Sequence, residues 1–225
     1  MDVTLPNVVT FDLEGTLVDL ESIHFNAFAH AVQTFGVTLT SEQIISLDLN
    51  IVGGGDEFVA RTIASRYSLD ASKLKQQKES MFAQLLQESD IQLRCGASEF
   101  LSRLLSSKNL IAVGSVTPRQ LGDYIVKTSG LDEYVLPEHV VFKEDVARPK
   151  PAPDVFLETA RKLGVEPSDQ LVFEDSVPGV RAAVAAGSPV IAVSVHHDQK
   201  HLTALKEAGA QQVFTDWSQV VTFFG

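Results

Sequence analysis

The chain of 225 residues has one cysteine, one tryptophan and two methionines, and its 18 basic side chains are outnumbered by 29 acidic ones. With Cys95 alone, no intramolecular disulfide can form and a four-thiolate zinc site is excluded. The formal net charge of −11 repels polyanions, so neither nucleic acid nor an acidic membrane surface is expected as a partner. No apolar run approaches the roughly 20 residues needed to span a bilayer, and the first residues lack a basic, then apolar, then small-residue signal pattern. The expectation is an ordinary soluble, cytoplasmic protein whose single thiol suits a reducing compartment. Its 44% hydrophobic content is ample for a packed core, in one large domain or two small ones.

The pattern of elements points to an α/β fold. Val8-Val9-Thr10-Phe11 reads as a buried strand with a turn at Gly15. From Glu21 to Glu88 the period is helical: Phe28, Ala31, Val32 and Phe35 share one face, and further helices fit Ser41–Leu47, Asp56–Tyr67 and Ala71–Gln87. From Cys95 onward strands and helices alternate, as in a parallel sheet with helical crossovers. Strands are expected at Leu110–Gly114, Val140–Phe142, Leu171–Phe173, Val190–Val193 and Gln212–Phe214. Helices are expected at Ala97–Ser106, Pro118–Ser129, Pro153–Leu163, Val177–Ala186 and His201–Ala208. The helical block thus interrupts a Rossmann-like domain, with residues 1–15 and 96–225 as core and 16–95 as an inserted helical domain.

Open parallel sheets bind ligands outside the carboxyl ends of their strands. Asp12 and Glu14 follow the first strand, Ser115 and Thr117 follow "LIAVG", Lys150 lies in "RPKPAPD", and Glu174 and Asp175 follow "LVF". Each has a bland reading: Asp175 or Ser176 can cap the next helix, Lys150 can be a solvated surface lysine, and Thr117 is expected to cap the helix opened by Pro118. Together, four acids, a hydroxyl and an ammonium on one rim are costly unless a cation or ligand compensates the repulsion. The set suits phosphoryl transfer. Asp12 serves as nucleophile beside Mg²⁺, Ser115 and Lys150 hold the phosphoryl oxygens, and Glu14 is the proton donor and acceptor.

The segments "FDLEGTLVD", "AVGSVTP", "RPKPAPDVF" and "LVFEDSVPGVRAAVAAG", in this order, make the chain resemble the haloacid dehalogenase superfamily, in the branch of β-phosphoglucomutase and small sugar phosphatases. The resemblance implies a Rossmann-like core, an inserted helical cap and Mg²⁺ as cofactor. It also implies a metal site of Asp12, the Glu14 carbonyl, Glu174 and Asp175, and a substrate-binding set of His24, Gly54, Ser115, Val116 and Lys150. The expected activity is Mg²⁺-dependent hydrolysis of a small phosphorylated metabolite, a sugar or polyol phosphate, through an aspartyl-phosphate. The alternatives are a sugar phosphomutase or a catalytically weakened phosphate-binding regulatory protein.

One position departs from the branch pattern. Its second acid is usually aspartate, and Glu14 is one methylene longer, a displacement of about 1.5 Å on an unchanged backbone. Misplacing a catalytic group by about 1 Å can cost on the order of a hundredfold. The enolase-phosphatase branch carries a similar Asp-x-Glu-Gly-Thr motif, so glutamate can serve here. An acid at this position speaks against a dehalogenase, and the absence of lysine from "ESIHFNAFAHAVQTFG" speaks against the phosphonatases. Mutase relatives place an arginine in the loop where this chain has "LNIVGGGDEF", with Asp56 and Glu57, which favours simple hydrolysis. His196, His197 and His201 read as a solvated loop, Arg119 as an exposed helical residue, and Trp217 as packing for a C-terminal helix.

Overall fold

A computed structural model describes residues 5–48, 51 and 55–225. Strand β1 (Val8–Phe11) is followed by four helices, α1 (Glu21–Gln33), α2 (Ser41–Ile45), α3 (Gly55–Tyr67) and α4 (Ala71–Glu88). Then come α5 (Ala97–Ser106), β2 (Leu110–Gly114), α6 (Arg119–Thr128), β3 (Val140–Val141), α7 (Asp154–Leu163), β4 (Gln170–Glu174) and α8 (Val177–Ala186). The chain closes with β5 (Val190–Val193), α9 (Gln199–Ala208), β6 (Gln212–Phe214) and α10 (Trp217–Phe223). Among the described residues no helix is long and apolar enough to cross a membrane.

The chain divides into two compact units, Met1–Asp19 with Ile91–Gly225, and Leu20–Asp90. The first is built on a parallel six-stranded sheet of order β3-β2-β1-β4-β5-β6. Strands buried on both faces need uninterrupted apolar runs, and all four residues of β1 and all five of β4 are buried. Phe11 and Phe173, paired in register, stack at 5.2 Å with Phe100 and Trp217 against them. Strand order reverses at β1, with β2 on one side and β4 on the other, which opens the crevice where such sheets bind ligands.

The second unit is wholly helical among its described residues. Phe28, Ala31 and Val32 on α1 pack with Ile44, Ile63 and Leu74, the face expected from their spacing. Its α4 buries Leu74, Lys78, Phe82 and Leu86, four residues at intervals of four, one of them charged.

Several element ends differ from the expected ones by one or two residues. β3 stops before Phe142, whose N–H is taken by the Asp145 carboxylate as the chain turns into a short 3₁₀ segment. Pro118 and Pro153 stand at the N-cap rather than inside their helices. α9 begins two residues early because Asp198 caps it, accepting from the His201 N–H at 2.9 Å.

Candidate active site

The first unit gathers its acids where β1 and β4 end. Asp12 is set by its own N–H, which extends the ladder to the Phe173 carbonyl at 2.9 Å. Glu174 is fully buried at the end of β4, and its Oε2 accepts from the N–H groups of Asp175 and Ser176 and from the Ser176 hydroxyl at 2.9–3.0 Å. Ser176 in turn caps α8, accepting from the Gly179 N–H at 3.1 Å. One oxygen each of Asp12, Glu174 and Asp175 lies within 4.8 Å of the others, the spacing of a shared cation site.

Two glycines make room for this cluster. At Gly179 a Cβ would sit 1.7 Å from Glu174 Oε1, so any side chain evicts the carboxylate. At Gly15 a Cβ would meet Asp175 Oδ2 at 2.2 Å, and its φ of +84° is one that other residues rarely adopt.

Lys150 is the counter-charge. Its Nζ donates to Asp12 Oδ1 and Glu174 Oε1, both at 2.5 Å, and lies 5.0 Å from the Phe156 ring centre with its side chain only 7% exposed. The surface-lysine reading is therefore wrong: the loop between β3 and α7 turns this side chain inward, where two carboxylates compensate its burial. Burial alone would depress the Lys150 pKa, but those carboxylates outweigh it and hold the ammonium charged. Asp12 is pushed up to about 7 by burial, opposed by Lys150 and reinforced by the charges of Glu174 and Glu14. Asp175 is raised well above the carboxylate range, again chiefly by burial, with Glu174 and Asp12 adding to it. One ammonium faces three acids, and the excess negative charge is what a divalent cation would neutralise. The donors are all oxygen, the set that suits Mg²⁺. The acids of the trio thus fit such an ion.

Glu14 departs from the trio. Its Oε1 accepts from the Thr117 hydroxyl, and Thr117 Oγ1 lies 2.8 Å from Ser115 Oγ. Thr117 is thus no helix cap: Pro118 occupies that position, without a side-chain capping bond, and the threonine is drawn to a carboxylate instead. Ser115 is buried, its N–H anchored on the Val141 carbonyl at 3.0 Å, while its neighbour Val116 is half-buried. Arg119 is engaged elsewhere, its guanidinium on both oxygens of Asp145 at 2.5–2.6 Å.

Of the remaining expected residues, Gly54 lies outside the described set. His24 belongs to the helical unit, where Nδ1 lies 2.7 Å from the Lys78 ammonium and the ring stacks on Phe82 at 4.2 Å. Lys78 also donates to Asp56 at 2.5 Å. Burial would raise the Asp56 pKa, but the hydrogen bonds and charges of His24 and Lys78 hold it below the carboxylate range. Lys78, 1% exposed, is missing from the sequence-based set. Its signal was a lysine at a buried position of α4's apolar stripe. Arg94 was also missed: its guanidinium donates to the carbonyls of Gly15, Thr16, Val193 and Ser194 at 2.6–3.2 Å, tying the loop after β1 to the end of β5.

A model of haloacid dehalogenase-like hydrolases matches residues 6–187. A phosphorylated carbohydrates phosphatase of Thermotoga maritima is 30% identical over 90% of this chain and 91% of its own. Fructose-1-phosphate phosphatase of Escherichia coli is 28% identical over 81% and 94%. Among solved structures, a conserved haloacid dehalogenase-like protein of Agrobacterium tumefaciens superposes with a TM-score of 0.80 at 27% identity, covering 97% of both chains.

Proposed function

Because the chain belongs to the haloacid dehalogenase-like hydrolase family and is a phosphoric monoester hydrolase of it, we propose that it removes phosphate from a phosphorylated sugar or polyol through an aspartyl-phosphate on Asp12. The observation that carries this reading is the meeting of Asp12, Glu174 and Asp175 within 4.8 Å, with the Lys150 ammonium bridging the first two.

Asp12, Glu174 and Asp175, with the Glu14 carbonyl, are the groups proposed to hold Mg²⁺. When bound, the ion supplies the positive charge that keeps Asp12 ionised and screens it from an anionic ester. The Asp12 oxygen attacks phosphorus, the ester P–O bond breaks, and Glu14 gives its proton to the departing oxygen. Water then attacks phosphorus, passes its proton to Glu14, and the Asp12–phosphorus bond breaks to release phosphate. Lys150 has three N–H donors, of which two already meet carboxylates. The third is proposed to bind a phosphoryl oxygen together with the Ser115 hydroxyl and the backbone at Val116, opposing the charge that builds there. The helical unit, with His24 and the loop holding Gly54, is proposed to select the ester.

Asp56 and Glu57 stand at the start of α3, already paired with Lys78 and with Arg61 and Lys75, so hydrolysis is preferred to mutase action on the phosphatase relatives rather than on these two acids. Purified protein with Mg²⁺ and a panel of sugar and polyol phosphates is expected to release phosphate, and Asp12→Asn to abolish release. Turnover that survives Asp12→Asn would remove Asp12 from the nucleophile's role.

A further inference from the structure

We propose that Thr117 is a positioning residue that seats Glu14 for proton transfer, resting on the reading of Glu14 as the acid and base. Its hydroxyl fixes Oε1, which limits how the carboxyl group can turn toward the leaving oxygen. Three observations carry the inference. The Thr117 hydroxyl donates to Glu14 Oε1. Thr117 is buried and its backbone is pinned on both sides, the N–H donating to Ser115 Oγ at 3.2 Å and the carbonyl accepting from the Lys143 N–H at 3.2 Å. The helix that follows does not use the hydroxyl as a cap.

Donor accounting fixes the direction of the chain. A hydroxyl has one proton, and Glu14 Oε1 accepts it both when the carboxyl group is ionised and when it carries its own proton on the other oxygen, so the Thr117 proton is committed to Glu14. The 2.8 Å contact between Ser115 Oγ and Thr117 Oγ1 is then a bond that Ser115 donates. A phosphoryl oxygen arriving at Ser115 can take that proton while Thr117 keeps its grip on Glu14. Glutamate has one more rotatable bond than aspartate, so its carboxylate samples more positions unless something holds it. Thr117 is placed to hold it, which makes the longer acid of this chain workable.

The test is a leaving-group comparison. Phenyl phosphate needs a proton on its departing oxygen far more than p-nitrophenyl phosphate does. Thr117→Val, which keeps the shape and removes the hydroxyl, is expected to slow the phenyl ester on the order of tenfold more than the nitrophenyl ester. Thr117→Ser is expected to restore the wild-type ratio. In a Glu14→Asp background, where the shorter acid does not reach the threonine, Thr117→Val is expected to leave the ratio unchanged. Equal loss on both esters, no loss, or an unaltered effect in the Glu14→Asp background overturns the proposal while leaving the phosphatase reading intact. A folded wild-type protein inert toward both esters and toward the sugar and polyol phosphates refutes that reading, and the proposal with it.

Discussion

Replacing Lys150 with methionine keeps most of the stem and deletes the charge that lies between Asp12 and Glu174, each 2.5 Å from Nζ. What is left is a buried group of acids with no ammonium beside it. Removing one partner of a buried ion pair costs about 3–5 kcal/mol, because the other charge stays desolvated. In a chain of this size each kcal/mol is worth about 2–4 °C of melting temperature, so a fall of roughly 6–20 °C is expected in EDTA near neutral pH. The fall should shrink at pH 5, where the freed acids take up protons, and again in saturating Mg²⁺, where a cation replaces the lost charge. Turnover should drop on the order of a hundredfold to a thousandfold, the range for losing one preorganised donor to a developing oxyanion. Thermal melts with and without Mg²⁺, beside steady-state rates, read all three effects. A melting temperature within about 2 °C of wild type in EDTA would mean that Lys150 balances no buried charge.

Two further outcomes follow from the same geometry. Gly179→Ala places a methyl where Glu174 Oε1 now sits, so the Mg²⁺ concentration for half-maximal activity should rise at least about tenfold, checked by metal titration of the rate. Asp12, raised to about 7 when folded against about 3.9 unfolded, should make the metal-free protein lose stability with rising pH. The sign follows from proton counts: between those values the folded state binds more protons at Asp12 than the unfolded one, so the contribution of Asp12 to stability is fullest below about pH 4 and is lost as pH rises through about 7. Saturating Mg²⁺ should flatten this slope, and denaturant melts across the range measure it.

Most of the fold was legible because its strands are short apolar runs and its helices keep a clean period. Of the five strands from Leu110 to Phe214, β2, β5 and β6 have the expected bounds, β3 differs by one residue at one end and β4 by one residue at each end; all are paired in register, so pattern and structure coincide. The acids and Lys150 were legible because they follow strand ends, where a parallel sheet collects its ligands. Thr117 was misread because a threonine before proline has a strong local role as a cap, and only the tertiary contact with Glu14, 103 residues away, overrides it. Arg94 could not have been found, since its partners are backbone carbonyls, which carry no residue identity. Lys78 could have been: a charged residue in the stripe of Leu74, Phe82 and Leu86 is an anomaly that burial requires something to compensate, and Asp56 and Phe82 do so.

The most direct measurement is to trap the phosphorylated enzyme. Glu14→Gln cannot activate water, yet p-nitrophenolate departs without its proton, so mixing this variant with p-nitrophenyl phosphate and Mg²⁺ should release one equivalent of nitrophenol in a burst. Acid quench and peptide mass analysis should then find one phosphoryl group on the Val8–Asp19 segment, at Asp12. A phosphoryl group on any other residue, or steady turnover with no phosphorylated peptide, would contradict the assignment of Asp12 as the group that captures phosphorus.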